Sequence, residues 1–109
     1  ESVPIFQGCE TVSKSQSSKC FKDKLNEHIR KNFRYPEIAQ EMGIQGRVYV
    51  NFIIGKDGSI KNIRAKGKDK SLEKEAVRII SLLPKMSPGL KGGEKVDVPF
   101  STSIAFKLR

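Results

Sequence analysis

The sequence contains no tryptophan, one histidine and two cysteines, and this scarcity excludes most kinds of chemical site. With His28 as the only imidazole, the chain has too few soft donors for a zinc site. No motif for nucleophilic or acid–base catalysis surrounds Cys9, Cys20 or His28. The glycines of residues 89–93 precede a predicted strand and not a helix, so they form no phosphate-binding loop. We therefore expect no metal, no cofactor and no catalytic residue, and a function other than that of an enzyme.

Long apolar stretches are also missing. No run of about 18 or more apolar residues occurs, so the sequence has no predicted transmembrane helix. The opening Glu1-Ser2-Val3-Pro4 lacks the basic and apolar parts of a signal peptide. The 109 residues suffice for one small domain. We interpret the chain as a processed piece of a longer protein, with any anchor or targeting signal upstream.

Acidic residues are scarce relative to basic ones. The chain has 12 Asp and Glu against 21 Lys and Arg, which gives a formal net charge of +9. Such an excess is typical of nucleic-acid-binding domains. Here the cations are scattered along the chain and few aromatic residues accompany them, whereas a nucleic-acid surface needs a clustered basic and aromatic face. A basic surface facing anionic lipid or glycan explains the charge equally well. We expect no nucleic-acid partner and keep nucleic-acid binding as the remote alternative.

The two cysteines enclose a polar segment rich in serine and lysine. A lone pair that closes a short loop is typical of a disulfide in an oxidising compartment such as a periplasm. Joining Cys9 to Cys20 would stabilise the fold by about 3 kcal/mol in the chain-entropy treatment. The alternative is two free thiols in a reducing cytosol.

Apolar periodicity predicts two helices after an irregular arm that spans residues 1–18. The arm's apolar start is expected to pack on the domain, and residues 11–18 are expected to form a polar loop. The first helix spans residues 19–33, with Ser18 as its N-cap. Its apolar stripe recurs at every fourth position: Phe21, Leu25, Ile29 and Phe33. The second helix spans residues 70–83, capped by Asp69 or Ser71. Its stripe is Leu72, Ala76, Ile79, Ile80 and Leu83.

Between these helices the sequence predicts a corner and a hairpin. Proline disfavours helix at the residue before it, so the first helix ends before Tyr35-Pro36. A short helical turn follows, with Ile38, Ala39 and Met42 as its apolar side. Alternation predicts a strand over residues 46–54 and a second strand over 59–66 that carries a bulge or a half-exposed edge. The glycines of the connecting loop, residues 55–58, are placed where positive φ is needed.

The last segment is predicted to be a loop over residues 84–95 and then one long strand over 96–108. Its even-numbered apolar residues share one face: Val96, Val98, Phe100, Ile104, Phe106 and Leu108. Pro99 is tolerated at a sheet edge or a bulge, which indicates an edge strand. A right-handed crossover places this strand beside the first one. The predicted fold is therefore α+β, a three-stranded antiparallel sheet of order 2-1-3 with two helices on one face.

An edge strand leaves backbone donors and acceptors unpaired, and an extended peptide can pair with them by adding a strand. The small polar stretch Ser101-Thr102-Ser103 would allow close approach of another backbone. Two alternatives stay open: the edge is simply solvated, or it pairs with a second copy of the chain.

Several motifs together resemble the TonB C-terminal domain family. The first is Asn32-Phe33-Arg34-Tyr35-Pro36, followed by Ala39 and by Gly43-Ile44-Gln45-Gly46-Arg47-Val48. It is continued by Phe52-Ile53-Ile54, Asp57-Gly58-Ser59-Ile60 and the closing Phe106-Lys107-Leu108. The resemblance covers residues 20–109, and the opening segment with Cys9 is similar to Bacteroidetes-type members. It divides the chain into an arm, residues 1–18, pinned by the Cys9–Cys20 disulfide, and a domain, residues 19–109.

The resemblance implies a periplasmic domain of an inner-membrane-anchored energy transducer. Such a protein is driven by an ExbB/ExbD motor through its N-terminal part. It grips the TonB box of outer-membrane receptors, so that siderophores and other iron complexes, cobalamin or glycans are taken up. The box is expected to add beside the last strand. The implied binding residues are Val96, Val98, Phe100, Ser101, Thr102, Ser103, Ile104, Ala105, Phe106 and Lys107, with Tyr35 and Pro36. A purely structural corner is the alternative for Tyr35.

Other roles carry the same fold. A similar domain is appended to membrane-bound sensor peptidases, where it would be an interaction module without transport. An envelope domain like that of TolA is a further alternative, which the Tyr35-Pro36 and Asp57-Gly58-Ser59 motifs argue against. A homodimer joined through edge strands is also possible for this fold.

Overall fold

The computed structural model describes residues 4–6, 8, 9 and 13–108, and these form three helices and five strands. The elements are α1 (Lys14–Asn32), α2 (Glu37–Glu41), β1 (Gly46–Ile54), β2 (Ile60–Lys66), α3 (Lys70–Ser81), β3 (Gly89–Lys91), β4 (Glu94–Val96) and β5 (Val98–Phe106). Strands β2, β1 and β5 form one antiparallel sheet in that order, and β3 pairs with β4 in a separate hairpin. The predicted α+β fold and its three-stranded sheet order are confirmed.

The core lies between one face of the sheet and the helices. Along β1 the even-numbered residues Val48, Val50, Phe52 and Ile54 are at most 1% exposed, whereas the odd-numbered residues 47, 49 and 51 are exposed. Helix α3 covers the buried side with four fully buried residues: Leu72, Ala76, Ile79 and Ile80. Leu72, Ile79 and Ile80 each contribute about 1.5–3 kcal/mol by leaving water, and the single methyl group of Ala76 contributes less. We call the opposite, helix-free side of the sheet the outer face.

Helix α1 begins five residues earlier than the sequence predicted, at Lys14, with Ser13 and not Ser18 as its N-cap. Residues 14–18 were therefore wrongly predicted to be loop. No proline or glycine interrupts residues 13–32, so nothing stops the helix from extending toward its N-terminus. Of the added residues, Ser15, Gln16 and Ser18 are solvent-exposed, and apolar periodicity cannot detect a turn without buried apolar residues.

Described residues of the N-terminal arm hold it on the domain. Cys9 and Cys20 form a disulfide, so the loop between them is closed. Ile5 exchanges two backbone hydrogen bonds with Ser87, each 3.0 Å long. Phe6 is 6% exposed and meets Phe21 edge to face, with ring centroids 5.7 Å apart. Of the predicted arm, residues 1–3, 7 and 10–12 lie outside the described residues, and the division of the chain at residue 18 stays a prediction.

The end of α1 is fixed to α3 by a polar cluster around Glu75. This glutamate is only 9% exposed. Its carboxylate accepts the backbone N–H of Arg34 at 2.8 Å and two guanidinium N–H groups of Arg78 at 2.8 and 2.7 Å. Arg78 also donates to the backbone carbonyl of Asn32. The carboxylate raises the pKa of Arg78 by hydrogen bonding. A helix end leaves carbonyls unpaired, and here a side chain from another helix pairs with one of them.

The chain after α3 differs from the prediction. Residues 89–95, predicted to be loop, form the β3–β4 hairpin together with Val96, and Gly92 and Gly93 have φ 59° and 82° in its turn. Val96 pairs with Gly89 in this hairpin, so it does not belong to the last strand. The break falls at Asp97, which accepts the backbone N–H of Lys56 at 2.9 Å and forms an ion pair with Lys61 at 3.1 Å.

Two smaller predictions were also wrong. Of the predicted apolar side of α2, Ala39 is fully buried, but Ile38 and Met42 are 59% and 69% exposed. In the β1–β2 loop only Gly58 has a positive φ, 84°. A Cβ at Gly58 would lie 1.8 Å from the carbonyl oxygen of Met86, so a close backbone approach also requires glycine there.

Candidate partner-binding edge

Strand β5 forms one edge of the sheet. All nine of its residues pair with β1 in a single unbroken register, from Val98 opposite Ile54 to Phe106 opposite Gly46. Among the described residues, no strand pairs with its other side. The strand therefore has one completed side and one open side.

Two observations identify the backbone groups that face the open side. Gly55, which continues β1, donates its backbone N–H to Ser59 across the β1–β2 hairpin at 2.8 Å. Because these groups alternate in direction along an antiparallel strand, odd-numbered residues of β1 face β2 and even-numbered residues face β5. The register pairs even with even, so the odd-numbered residues of β5 face outward. Pro99 is one of them. Because proline has no N–H to donate, a strand tolerates it only where its nitrogen faces away from the paired strand.

The open edge therefore presents the N–H and C=O groups of Ser101, Ser103 and Ala105. Their side chains are small and lie on the outer face, where Ser101 donates to the Asn51 side chain at 2.8 Å. Arg47 donates to the hydroxyl of Ser103 at 3.1 Å. No residue of β5 is charged, so neither bulk nor charge keeps a second backbone away.

The inner side of β5 is held by aromatic contacts. Phe100 lies 4.6 Å from Phe21 and 5.7 Å from Phe52, measured between ring centroids. Phe106 is fully buried and lies 5.1 Å from the ring of Phe33. These contacts fix the strand while its outward backbone groups stay accessible.

Known proteins share the sequence pattern and the fold of this chain. The family model described as "Gram-negative bacterial TonB protein C-terminal" matches residues 31–108. The chain belongs to the TonB C-terminal family. It is similar to the solution structure of the Helicobacter pylori TonB C-terminal domain, residues 179–285, with 31% identity and a TM-score of 0.64; the match covers 92% of this chain and 87% of that one. A shorter form of that domain, residues 194–285, matches at 31% identity and a TM-score of 0.58, covering 80% and 92%. No curated protein sequence gives a significant match.

Most residues that the resemblance implied for binding lie on β5 of this TonB C-terminal domain. Val98 to Phe106 form the strand, and Lys107 follows it directly. The even-numbered members point inward, and Ile104 and Phe106 are buried, so these two can offer little side-chain surface. Val96 is the exception, since it pairs within the β3–β4 hairpin.

Tyr35 and Pro36 lie at the corner between α1 and α2. The Tyr35 hydroxyl donates to the backbone carbonyl of Ile44. Its ring meets Phe33 and Phe106 edge to face, with centroids 6.1 and 5.8 Å apart. Pro36 occupies the N-cap position of α2. These contacts give Tyr35 a structural function beneath the end of β5, and a role in partner contact stays a prediction.

The remaining polar and titratable residues of the TonB C-terminal domain have structural contacts. Among the described residues no cluster of three or more His, Cys, Asp or Glu could hold a metal ion, and no buried side-chain polar atom lacks a partner. His28 donates its Nε2–H to the backbone carbonyl of Ile79 on α3 at 2.8 Å, and the side-chain amide of Asn32 on its own helix lies 3.3 Å from its Nδ1. Asp57 accepts hydrogen bonds from the hydroxyl and the N–H of Ser59, and these bonds lower the pKa of Asp57. The same bonds give Asp57 a structural role in the β1–β2 turn. In the part of the chain that the structure describes, no helix has the length and apolarity needed to cross a membrane.

Proposed function

We propose that this TonB C-terminal domain binds the TonB box of outer-membrane receptors by strand addition to β5. The observation that carries the proposal is the open side of β5, with outward backbone groups at Ser101, Ser103 and Ala105 and no charge along the strand. An added strand gains affinity from backbone hydrogen bonds and selectivity from alternate side chains. The function proposed is that of a binding module without catalysis.

The same geometry suits the transmission of mechanical work. A strand pair pulled along its length loads several backbone hydrogen bonds together, whereas peeling breaks them one at a time. Strand β5 is itself joined to β1 over nine residue pairs. Tension on a bound receptor segment is therefore carried into the centre of the sheet. We propose that this tension opens the receptor for active uptake of iron complexes, including siderophores, or of cobalamin or glycans.

The family supports a proposal about the membrane context. The matched family is described as the C-terminal part of TonB, and the similar Helicobacter domain begins at residue 179 of its protein. We propose that the present domain likewise follows an inner-membrane anchor driven by ExbB and ExbD, and that it works in the periplasm. The Cys9–Cys20 disulfide supports an oxidising compartment.

The test is an NMR titration of labelled domain with TonB-box peptides from the same genome. We expect the backbone amide shifts to be largest at residues 98–106 and small at residues 60–66. Shifts that avoid residues 98–106 would reject the site. A control measures the domain alone over a range of concentrations. Shifts at β5 that grow with protein concentration would instead assign the open edge to a homodimer.

A further inference from the structure

The outer face of the sheet is cationic. Strands β1, β2 and β5 contain no acidic residue at all. Arg47, Arg64 and Lys66 are exposed, and within the described part of the chain none of them forms an ion pair. Strand pairing places Lys66 beside Tyr49, and Tyr49 beside Ser103. The exposed positive charge therefore lies on β2, at Arg64 and Lys66, and on β1, at Arg47, which is the strand next to β5.

Arg47 is the outer-face cation that reaches the edge. Its guanidinium crosses from β1 to the hydroxyl of Ser103 at 3.1 Å. Neighbouring strands lie about 4.8 Å apart, so a strand added to β5 would place a side chain next to Ser103 on the same face. The hydroxyl is a weak partner for a guanidinium, and a carboxylate in that position would form a stronger, charge-assisted bond.

A shallow cleft at the Phe106 end of β5 adds to this charge. Its volume is about 390 Å³, and its lining includes three cationic residues, Arg47, Lys68 and Lys107, and no acidic residue. Lys68 and Lys107 are exposed, and neither forms an ion pair with a described residue. The same Arg47 thus belongs to the edge and to this cationic cleft.

We propose that the domain selects partner strands that carry acidic side chains on the outer face, and that Arg47 is the residue that determines this specificity. The inference rests on the proposed strand addition to β5. The recognised strand would alternate, with apolar side chains toward the row of Phe100 and Ile104 and acidic ones toward Arg47. Complementary charge at such a surface raises specificity and the association rate more than it raises affinity.

The experiment uses three peptides that alternate valine with glutamate, glutamine or lysine, and measures their dissociation constants by fluorescence anisotropy. We expect the glutamate peptide to bind about fivefold more tightly than the glutamine peptide, with the lysine peptide weakest. The preference for glutamate should shrink as salt is raised. Arg47→Gln should weaken the glutamate peptide more than the glutamine peptide and so reduce the glutamate preference.

Lys22→Gln is the matched control, because Lys22 is an exposed cation on α1 and its loss changes the net charge equally. An equal effect of the two substitutions would overturn the role of Arg47, since only the overall charge would then matter. Equal binding of the glutamate and glutamine peptides, with shifts at β5, would overturn the inference and leave strand addition standing. Absence of binding by all three peptides would overturn both.

Discussion

The two edges of this sheet are built differently. Strand β2 has seven residues, three of them cationic (Lys61, Arg64 and Lys66). Its register shifts near Asn62, which has a φ of 53°. Strand β5 has nine residues, none charged, in one regular register. Lysine and bulges are the features by which proteins keep an edge from pairing with other chains. One edge of the domain is therefore protected, and the other is left available.

The difference extends to what lies beneath each strand. Strand β2 packs its smaller residues Ile60, Ile63 and Ala65 against the core, whereas β5 is supported by the rings of Phe100 and Phe106. A strand that must hold a partner under load benefits from large buried contacts. Four predictions test this comparison.

The largest effect is expected from the support of β5. Phe106→Ala removes a fully buried ring and should lower the free energy of unfolding by about 3–5 kcal/mol. Ile63→Ala in β2 should cost about 1–2 kcal/mol, because that side chain is only partly buried. Urea unfolding measures both. Equal losses would show that the two edges are supported alike.

The disulfide comes second. Replacing both Cys9 and Cys20 by serine should lower the free energy of unfolding by about 3 kcal/mol, since the unfolded chain is no longer closed into a loop. Loss of the disulfide should weaken the contacts of Phe6 and Phe21, and Phe21 supports β5 through Phe100. Amide hydrogen exchange should therefore become faster in β5 more than in β2. Thiol labelling of the unreduced, denatured wild type is the control. If both cysteines are labelled there, the disulfide is absent, and it no longer supports an oxidising compartment.

The third prediction concerns binding. Ser103→Pro deletes an N–H that faces the open side of β5, so it should weaken the TonB-box peptide about tenfold or more while the fold survives. Ala65→Pro is the matched change on β2, where the N–H also faces away from β1. It should leave the affinity unchanged. A loss of affinity from Ala65→Pro, with Ser103→Pro harmless, would move the site to the other edge.

The smallest effect involves Asp97, at the start of β5. Its hydrogen bond with Lys61, with help from the Lys56 N–H and both lysine charges, lowers the pKa of this carboxyl below its ordinary value of 3.8. A lowered folded-state pKa means that the stabilisation is present above the unfolded pKa and is lost as pH falls through the folded one. Asp97→Asn should therefore flatten the pH dependence of the urea midpoint below about pH 4. An unchanged slope would contradict this.

Much of the fold could be predicted from the sequence. Strand β1 and helix α3 are buried along one face each, so their apolar periods of two and about 3.6 residues mark them directly. The sheet order followed from crossover handedness. The order of the elements and Pro99 also indicated that the last strand is an edge.

The rest depended on contacts that no local pattern reveals. Asp97 ends β4 because Lys56 and Lys61 lie across space from it, so the predicted strand began too early and wrongly included Val96. The first turn of α1 buries little and left no apolar signal. Alternation placed Arg47 on the outer face, but its reach to Ser103 appears only with the β1–β5 register.

Amide hydrogen exchange tests the central claim most directly, because it reports on each backbone N–H of β5 separately. In the free domain we expect Ser101, Ser103 and Ala105 to exchange fast, and Thr102 and Ile104 to exchange slowly through their bonds to β1. Adding the TonB-box peptide should slow the three odd-numbered amides and leave the other two unchanged. Strong protection of Ser101, Ser103 and Ala105 in the free, monomeric domain would contradict the account, since no edge would then be open.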